Sequence, residues 1–256
     1  MLDLKTCVHF EKPERIQPQR FCAIDDEFNS ARALIANGFG ELAVWLNSDG
    51  RGAFVQHATW PTDSTVRGVV AVDIDLDGDV DVLASTAAGK GLYAALNDGG
   101  TPTSFHGGMD AVGAPKNAQS EGLVVADVDF DGDLDVVLPK DGRVLRNHNA
   151  RPNLANWLKV RPLAAGRGRS AFGAVVRLQC VDLCAWPWTA VRSIGGGTSW
   201  APQSGYDAHF GLPWPTATYN VSVRWAGDVH PVANFTTHAE LGGIVPSVLQ
   251  PERLVL

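Results

Sequence analysis

The chain has 256 residues, enough for one large domain or two smaller ones with sizeable hydrophobic cores. Its net charge of −7 argues against electrostatic binding to nucleic acid or to an anionic membrane surface. It contains no run of about 18 apolar residues, so we expect no membrane span. The first 20 residues lack the apolar segment of a secretory signal peptide.

The negative charge is concentrated in two short windows. Residues 73–81 read DIDLDGDVD and residues 127–135 read DVDFDGDLD, with five aspartates in each. Of the 28 acidic residues, the 18 outside these windows are outnumbered by 21 Lys and Arg residues. The acidity is therefore local, and we expect it to have a local cause.

The first part of the chain repeats itself. A short apolar signature (VWLN, AALN and VLRN) ends at Asn47, Asn97 and Asn147, so both intervals are 50 residues. Units of about this length fit a propeller blade better than a helical pair. Runs of β-branched and other apolar residues, 69–72 and 123–126, lead into the aspartate windows and are typical of strands. The repeats predict a partial β-propeller of about three blades, each with several short strands.

The first repeat has a degraded aspartate window. Counting back 50 residues from the ligand and glycine positions of residues 73–81 gives Ala23, Asp25, Glu27, Phe28 and Ala31. Two ligand positions and the turn glycine are lost, so we expect this copy not to bind metal.

The repeat stops at about residue 151, and the remaining segment contains six of the eight tryptophans. The alternation of Val221, Val223 and Trp225 with other residues predicts a half-buried antiparallel strand. The predicted strands here are Trp157–Pro162, Phe172–Cys180 and Tyr219–Trp225. We therefore divide the chain into a lead segment (1–22), propeller repeats (23–150) and a compact second β domain (151–256).

The DxDxDGxxD pattern of the two windows is typical of a site for a hard divalent cation. Such a cation takes six to eight oxygen ligands, which carboxylates at positions one, three, five and nine and a carbonyl at position seven can supply. Glycine at position six permits the sharp turn. The predicted ligand residues are Asp73, Asp75, Asp77, Asp79, Asp81, Asp127, Asp129, Asp131, Asp133 and Asp135.

Other interpretations of the windows fit less well. An EF-hand loop ends with Glu at position twelve between helices, but Ala84 and Leu138 stand there and the flanks are strand-like. Solvated acidic turns would not need to keep the glycine and every ligand position in both copies. Magnesium prefers a stiffer octahedral site that includes waters, so the pattern favours two Ca²⁺ sites.

The four cysteines leave their pairing open. Cys7 and Cys22 lie near the start, and Cys180 and Cys184 lie close together. No second cysteine pair or histidine accompanies the latter at zinc-site spacing. A disulfide and a pair of buried thiols are equally compatible with them.

The aspartate loops and their flanking strands resemble the FG-GAP or VCBS repeats of integrin-like β-propellers. The C-terminal part resembles the ASPIC/UnbV domain in the segments NWLKVRPL (156–163), AFGAVVRL (171–178), VRSIGGG (191–197), AHFGL (208–212) and VSVRW (221–225). In this order the two modules are similar to the C-terminal part of the cartilage acidic protein family. The expected fold is all-β, a partial β-propeller with a degraded first blade followed by a small β-sandwich or barrel-like ASPIC/UnbV domain.

The resemblance implies a secreted, calcium-binding protein of the extracellular matrix or cell surface, without established catalytic activity. Only the loop aspartates carry over as site residues. A protein or glycan partner is implied, and open blade edges could support self-association.

The function we expect is a non-catalytic interaction or adhesion module with structural calcium. One alternative is a carbohydrate-binding, lectin-like propeller, for which Trp186, Trp188, Trp200 and Trp214 could supply the aromatic surface. A metal-dependent hydrolase is less favoured, since the sequence has no HExxH, GxSxG or P-loop motif.

Overall fold

The computed structural model describes the chain in segments that together form five β-sheets. The described residues are 20–24, 32–37, 40–47, 54–62, 64–87, 91–99, 104–108, 115, 117–118, 120–148, 157–164, 169–195, 206–226, 233–238 and 243–249. Within these ranges every regular element is a β-strand, which confirms the predicted all-β class.

The repeats form three antiparallel sheets whose strands follow one another in chain order. The first sheet contains β1 (Arg20–Ile24), β2 (Arg32–Asn37), β3 (Glu41–Asn47) and β4 (Phe54–Pro61). The second contains β5 (Val66–Val72), β6 (Asp81–Thr86), β7 (Leu92–Gly99) and β8 (Ser104–Gly108). The third contains β9 (Val124–Ala126), β10 (Asp135–Leu138) and β11 (Arg143–Leu145). Sheets of this kind are the blades of a partial propeller.

The second sheet is buried on both faces, as the strand β6 shows. Val82 and Ala84 pack in a core shared with Leu42 and Val44 of the first sheet. Leu83, between them, packs in a core shared with Val136 of the third sheet. Because successive strand residues point to opposite faces, this alternation joins the three sheets into one stack.

Two further sheets, here called the C-terminal sheets, share a single core. One contains β12 (Trp157–Ala164), β13 (Arg169–Ser170), β16 (Ala208–Gly211) and β19 (Gly243–Leu249). The other contains β14 (Val175–Asp182), β15 (Thr189–Ser193), β17 (Thr218–Arg224) and β18 (Ala233–His238). All pairings are antiparallel except that of β12 with β19, which is parallel. Two inner faces packed on one core form a small β-sandwich.

The strands predicted in this region are present, with boundaries that differ by one to three residues. The buried face of β17 contains Val221 and Val223, as the alternation predicted. The strand expected from Phe172 begins three residues later, at Val175. Gly173, at a φ of +82°, turns the chain there and donates its N–H to the carbonyl of Ile194.

Cys180 and Cys184 form a disulfide across the connection between β14 and β15. Of the two possibilities left open by the sequence, the bonded pair is therefore the observed one. Cys7 lies outside the described residues.

In the described part of the chain, no helix has the length and hydropathy needed to cross a membrane.

Candidate metal centre

The two aspartate windows form loops at equivalent places in their sheets. The first aspartate loop (residues 73–81) connects β5 to β6, and the second aspartate loop (residues 127–135) connects β9 to β10. The equivalent connection of the first sheet, between β1 and β2, is residues 25–31, which contain most of the degraded copy and lie outside the described residues.

The backbones of the two loops also match. The sixth-position residues Gly78 and Gly132 have φ values of +98° and +97°, as a sharp turn requires. The fourth-position residues Leu76 and Phe130 also have positive φ, 62° and 63°. Residues other than glycine rarely adopt this backbone conformation, and it recurs at ligand-binding loops. Two segments with different apolar residues have therefore folded the same way.

In each loop, three of the predicted aspartates converge. Ligand atoms of the first-, third- and ninth-position carboxylates lie within 4.8 Å of one another. The converging residues are Asp73, Asp75 and Asp81 in the first loop and Asp127, Asp129 and Asp135 in the second. This spacing allows one cation to contact all three carboxylates of a loop.

The fifth- and seventh-position aspartates are outside these two clusters. The Asp77 carboxylate accepts the backbone N–H of Asp79 at 2.9 Å, and Asp131 accepts that of Asp133 at the same distance. Such bonds to the residue two further on shape a turn. The ligand roles predicted for these four residues, and for the six that converge, stay predictions.

The ninth-position aspartate is held in place by the asparagine that ends each repeated apolar signature. Asp81 Oδ1 accepts the N–H of Asn97 at 2.7 Å, and Asp135 Oδ1 accepts that of Asn147 at 2.9 Å. Their other oxygens accept N–H groups from the second position of each loop, Ile74 and Val128, at 2.8 and 2.9 Å. The repeated asparagine therefore lies where the third strand meets the metal loop, a role that its periodicity alone did not reveal.

In each loop, the first-position aspartate has one carboxylate oxygen that accepts hydrogen bonds and one that accepts none. Asp73 Oδ2 accepts the N–H of Gly78 at 3.1 Å and that of Gly211 at 2.9 Å. Asp127 Oδ2 accepts from the Lys159 ammonium at 2.9 Å. The Oδ1 atoms of both residues are buried without a hydrogen bond. Leaving a buried acceptor unsatisfied is costly, so these atoms are suited to accept from a donor or to bind a cation.

The first loop lacks enough positive charge for its carboxylates. Burial raises the pKa of Asp81 to about 9 and that of Asp73 to about 7. Burial likewise raises the pKa of Asp77 to about 6. The guanidinium of Arg192, 3.9 Å from Asp73 Oδ2, opposes the shift only in part. A divalent cation would supply the charge that keeps these groups ionised.

Several residues near the loops were not identified from the sequence. Lys159, Gly211 and His209 come from the C-terminal sheets, and no motif connects them to the loops. His209 donates its Nε2 hydrogen to the carbonyl of Gly132 at 2.8 Å. Burial lowers the pKa of His209 to about 4, so the imidazole is neutral at physiological pH.

The donor set fits a hard cation. The converging atoms are all carboxylate oxygens, which suit Ca²⁺ or Mg²⁺. The two clusters contain no thiolate or imidazole, the ligands that softer metals select.

Comparison with known proteins identifies the class of the repeats. The FG-GAP-like repeat matches residues 33–84 and 73–138, which include both aspartate loops. Residues 33–138 are thus similar to FG-GAP-like repeats, and they lie in the three stacked antiparallel sheets.

The individual relatives are cartilage acidic proteins. Cartilage acidic protein 1 of Mus musculus is 28% identical over 231 residues, covering 84% of this chain and 34% of the relative. Cartilage acidic protein 1 of Xenopus tropicalis is 28% identical over 226 residues, covering 83% of this chain and 33% of the relative. The chain therefore spans about a third of the length of these relatives. The predicted resemblance to the cartilage acidic protein family is confirmed.

Proposed function

We propose that the chain is a non-catalytic, calcium-binding interaction module of the extracellular space, with one Ca²⁺ in each aspartate loop. The observation that carries the proposal is the pair of buried, unpartnered Oδ1 atoms, on Asp73 and Asp127, within two equivalent carboxylate clusters. An acidic turn built only for solubility would expose these oxygens to water.

Calcium in these loops has a structural role in our proposal. Each loop joins the first two strands of a sheet, and its ninth residue begins the second strand. Without a cation, the carboxylates of a loop repel one another in a partly buried place. A bound cation removes the repulsion and fixes the two strands relative to each other.

Two observations support an extracellular location. The disulfide between Cys180 and Cys184 is a bond that persists mainly in oxidising compartments. The relatives are named for cartilage, an extracellular matrix tissue. Extracellular calcium modules commonly bind with dissociation constants of about 10⁻⁴ to 10⁻³ M, which suits extracellular calcium concentrations.

A protein or glycan of the matrix or cell surface is the proposed partner class, and exposed sheet edges could pair with a second copy. The lectin alternative has less support. Trp188 and Trp214 pack against the core, and Trp186 alone of the described candidates is largely exposed, at 60%. Trp200 lies outside the described residues.

The proposal predicts that millimolar calcium raises the melting temperature by several degrees over that measured with a chelator. With a dissociation constant of about 10⁻⁴ M, calcium at about 1 mM is about 10 times that constant and stabilises the folded state by about 1.4 kcal/mol per site. Asp75→Ala and Asp129→Ala should each remove part of the shift, and isothermal titration should count two sites in the unaltered chain.

Glu121→Gln is the matched control, because Glu121 pairs with Lys140 on the surface, is 42% exposed and lies outside both loops. It should leave the calcium shift unchanged. A melting temperature that does not respond to calcium would contradict the proposal. Turnover of generic ester, phosphate or glycoside substrates would contradict its non-catalytic part.

A further inference from the structure

Both aspartate loops are contacted by the C-terminal sheets. His209 and Gly211 are two residues apart on β16. The side chain of His209 and a Cβ added to Gly211 therefore point to the same side of the strand. His209 contacts the second loop, and Gly211 contacts the first. One short strand therefore connects the two candidate sites.

The contact with the first loop leaves no room for a side chain at Gly211. A Cβ added there would lie 2.6 Å from the Cα of Leu76 and would also collide with Asp73 Oδ2. On the other side of the loop, a Cβ added to Gly78 would lie 2.5 Å from Pro213 Cγ. At Gly211, the first loop and β16 are therefore packed backbone to backbone, and at Gly78 the loop packs against the Pro213 ring.

The second loop is contacted in an equivalent manner. Lys159 on β12 forms an ion pair with Asp127 at 2.9 Å, and both side chains are mostly buried, with exposed fractions of 16% and 2%. A Cβ added to Gly132 would collide with the indole of Trp157. In both loops the sixth-position glycine thus faces a ring from the C-terminal sheets.

The two contacts have the same consequence for the first-position aspartate. In each loop a donor from the C-terminal sheets binds its Oδ2, while its Oδ1 stays buried and unpartnered. A carboxylate bound at one oxygen presents the other in a fixed direction, as outer-shell donors do at metal sites.

We propose that the two cation sites are completed by the C-terminal sheets, with Gly211 and Lys159 as positioning residues for Asp73 and Asp127. Calcium binding and the packing of these sheets on the loops then stabilise each other, because coupling between two equilibria is reciprocal. This inference rests on the proposed calcium binding of the loops. It adds that residues 73–81 and 127–135 are insufficient without β12 and β16.

The first test uses Gly211→Ala in the full chain carrying Asp129→Ala, so that only the first loop is intact. The φ of Gly211 is not in the left-handed region, so the substitution acts through the collision with Asp73 and Leu76. We expect the calcium affinity measured by isothermal titration to fall about 10-fold or more. Gly195→Ala is the matched control, because a Cβ there meets no atom of the described residues within 4 Å.

The second test needs no substitution at β16. We expect amide hydrogen exchange in residues 208–212 of the unaltered chain to slow about tenfold or more in calcium relative to chelator. The centre of β17, which lies in the core of the C-terminal sheets, should respond less.

The outcomes separate the two proposals. Unchanged affinity in Gly211→Ala, or unchanged exchange at residues 208–212 in a chain that binds calcium, would overturn the coupling alone. Absence of calcium binding in the unaltered chain would overturn the proposed function and this inference with it.

Discussion

At the scale of single residues, Asp73 combines two opposing requirements. Its carboxylate is 1% exposed, and burial raises its pKa to about 7, so the ionised form is unfavourable without a cation. A charged oxygen that points into the cluster is also what a hard cation needs. Asp73 therefore lowers the stability of the folded chain without calcium and raises it when calcium is bound.

Asp73→Asn should separate these two effects. The amide oxygen can still accept the N–H groups of Gly78 and Gly211, but the buried charge is gone. With chelator at pH 8, we expect the free energy of unfolding to rise by on the order of 4 kcal/mol, since the pKa rises from 3.8 to about 7 on folding and each pKa unit corresponds to about 1.4 kcal/mol. Calcium affinity should fall about tenfold or more.

Urea unfolding and isothermal titration measure the two quantities for Asp73→Asn. Glu121→Gln, at an exposed carboxylate, serves again as the control for removal of one negative charge. Lower stability of Asp73→Asn in chelator at pH 8 would mean that the buried charge is compensated within the protein itself.

At the scale of elements, the sequence predicted the repeated units well. The period of 50 residues and the β-branched runs depend on neighbours along the chain, so the strands that flank each loop were predictable. The identity of the N–H donors to Asp81 and Asp135 was not predictable in this way. The donors are Asn97 in β7 and Asn147 just after β11, 16 and 12 residues further on.

The connection between β14 and β15 offers a test at this scale. A disulfide that closes so short a loop contributes about 2 kcal/mol by the chain-entropy model. The double substitution Cys180→Ser and Cys184→Ser should lower the free energy of unfolding by about that amount. The measurement is urea unfolding, together with mass spectrometry of the unreduced peptide.

Treatment with a reductant is the internal control for this prediction. It should destabilise the unaltered chain and leave the double variant unchanged. Equal urea midpoints for the unaltered chain and the variant would show that the bond contributes nothing to stability.

At the scale of the whole molecule, the calcium-free chain should lose stability as the pH rises. Asp77, Asp73 and Asp81 have an unfolded pKa of 3.8 and folded values of about 6, 7 and 9. Because the folded state binds these protons more tightly, its stability is greatest at low pH and falls as the pH passes through the folded values. We expect the melting temperature in chelator to decrease between about pH 6 and about pH 9.

Saturating calcium should weaken this dependence, since a bound cation favours the ionised carboxylates. Thermal unfolding across that range, with and without calcium, measures both curves. A melting temperature in chelator that increases with pH would contradict the burial of charge in the first loop.

The sequence by itself determined the all-β class, the period of the repeats and the position of both aspartate loops. These properties depend on residue types at short, regular spacing, which one chain displays directly. Only the tertiary structure decided which three carboxylates of each loop converge and which donors hold them. Lys159 and Gly211 lie 32 and 138 residues from the aspartates that they contact, and the packing of the C-terminal sheets on the loops brings them together.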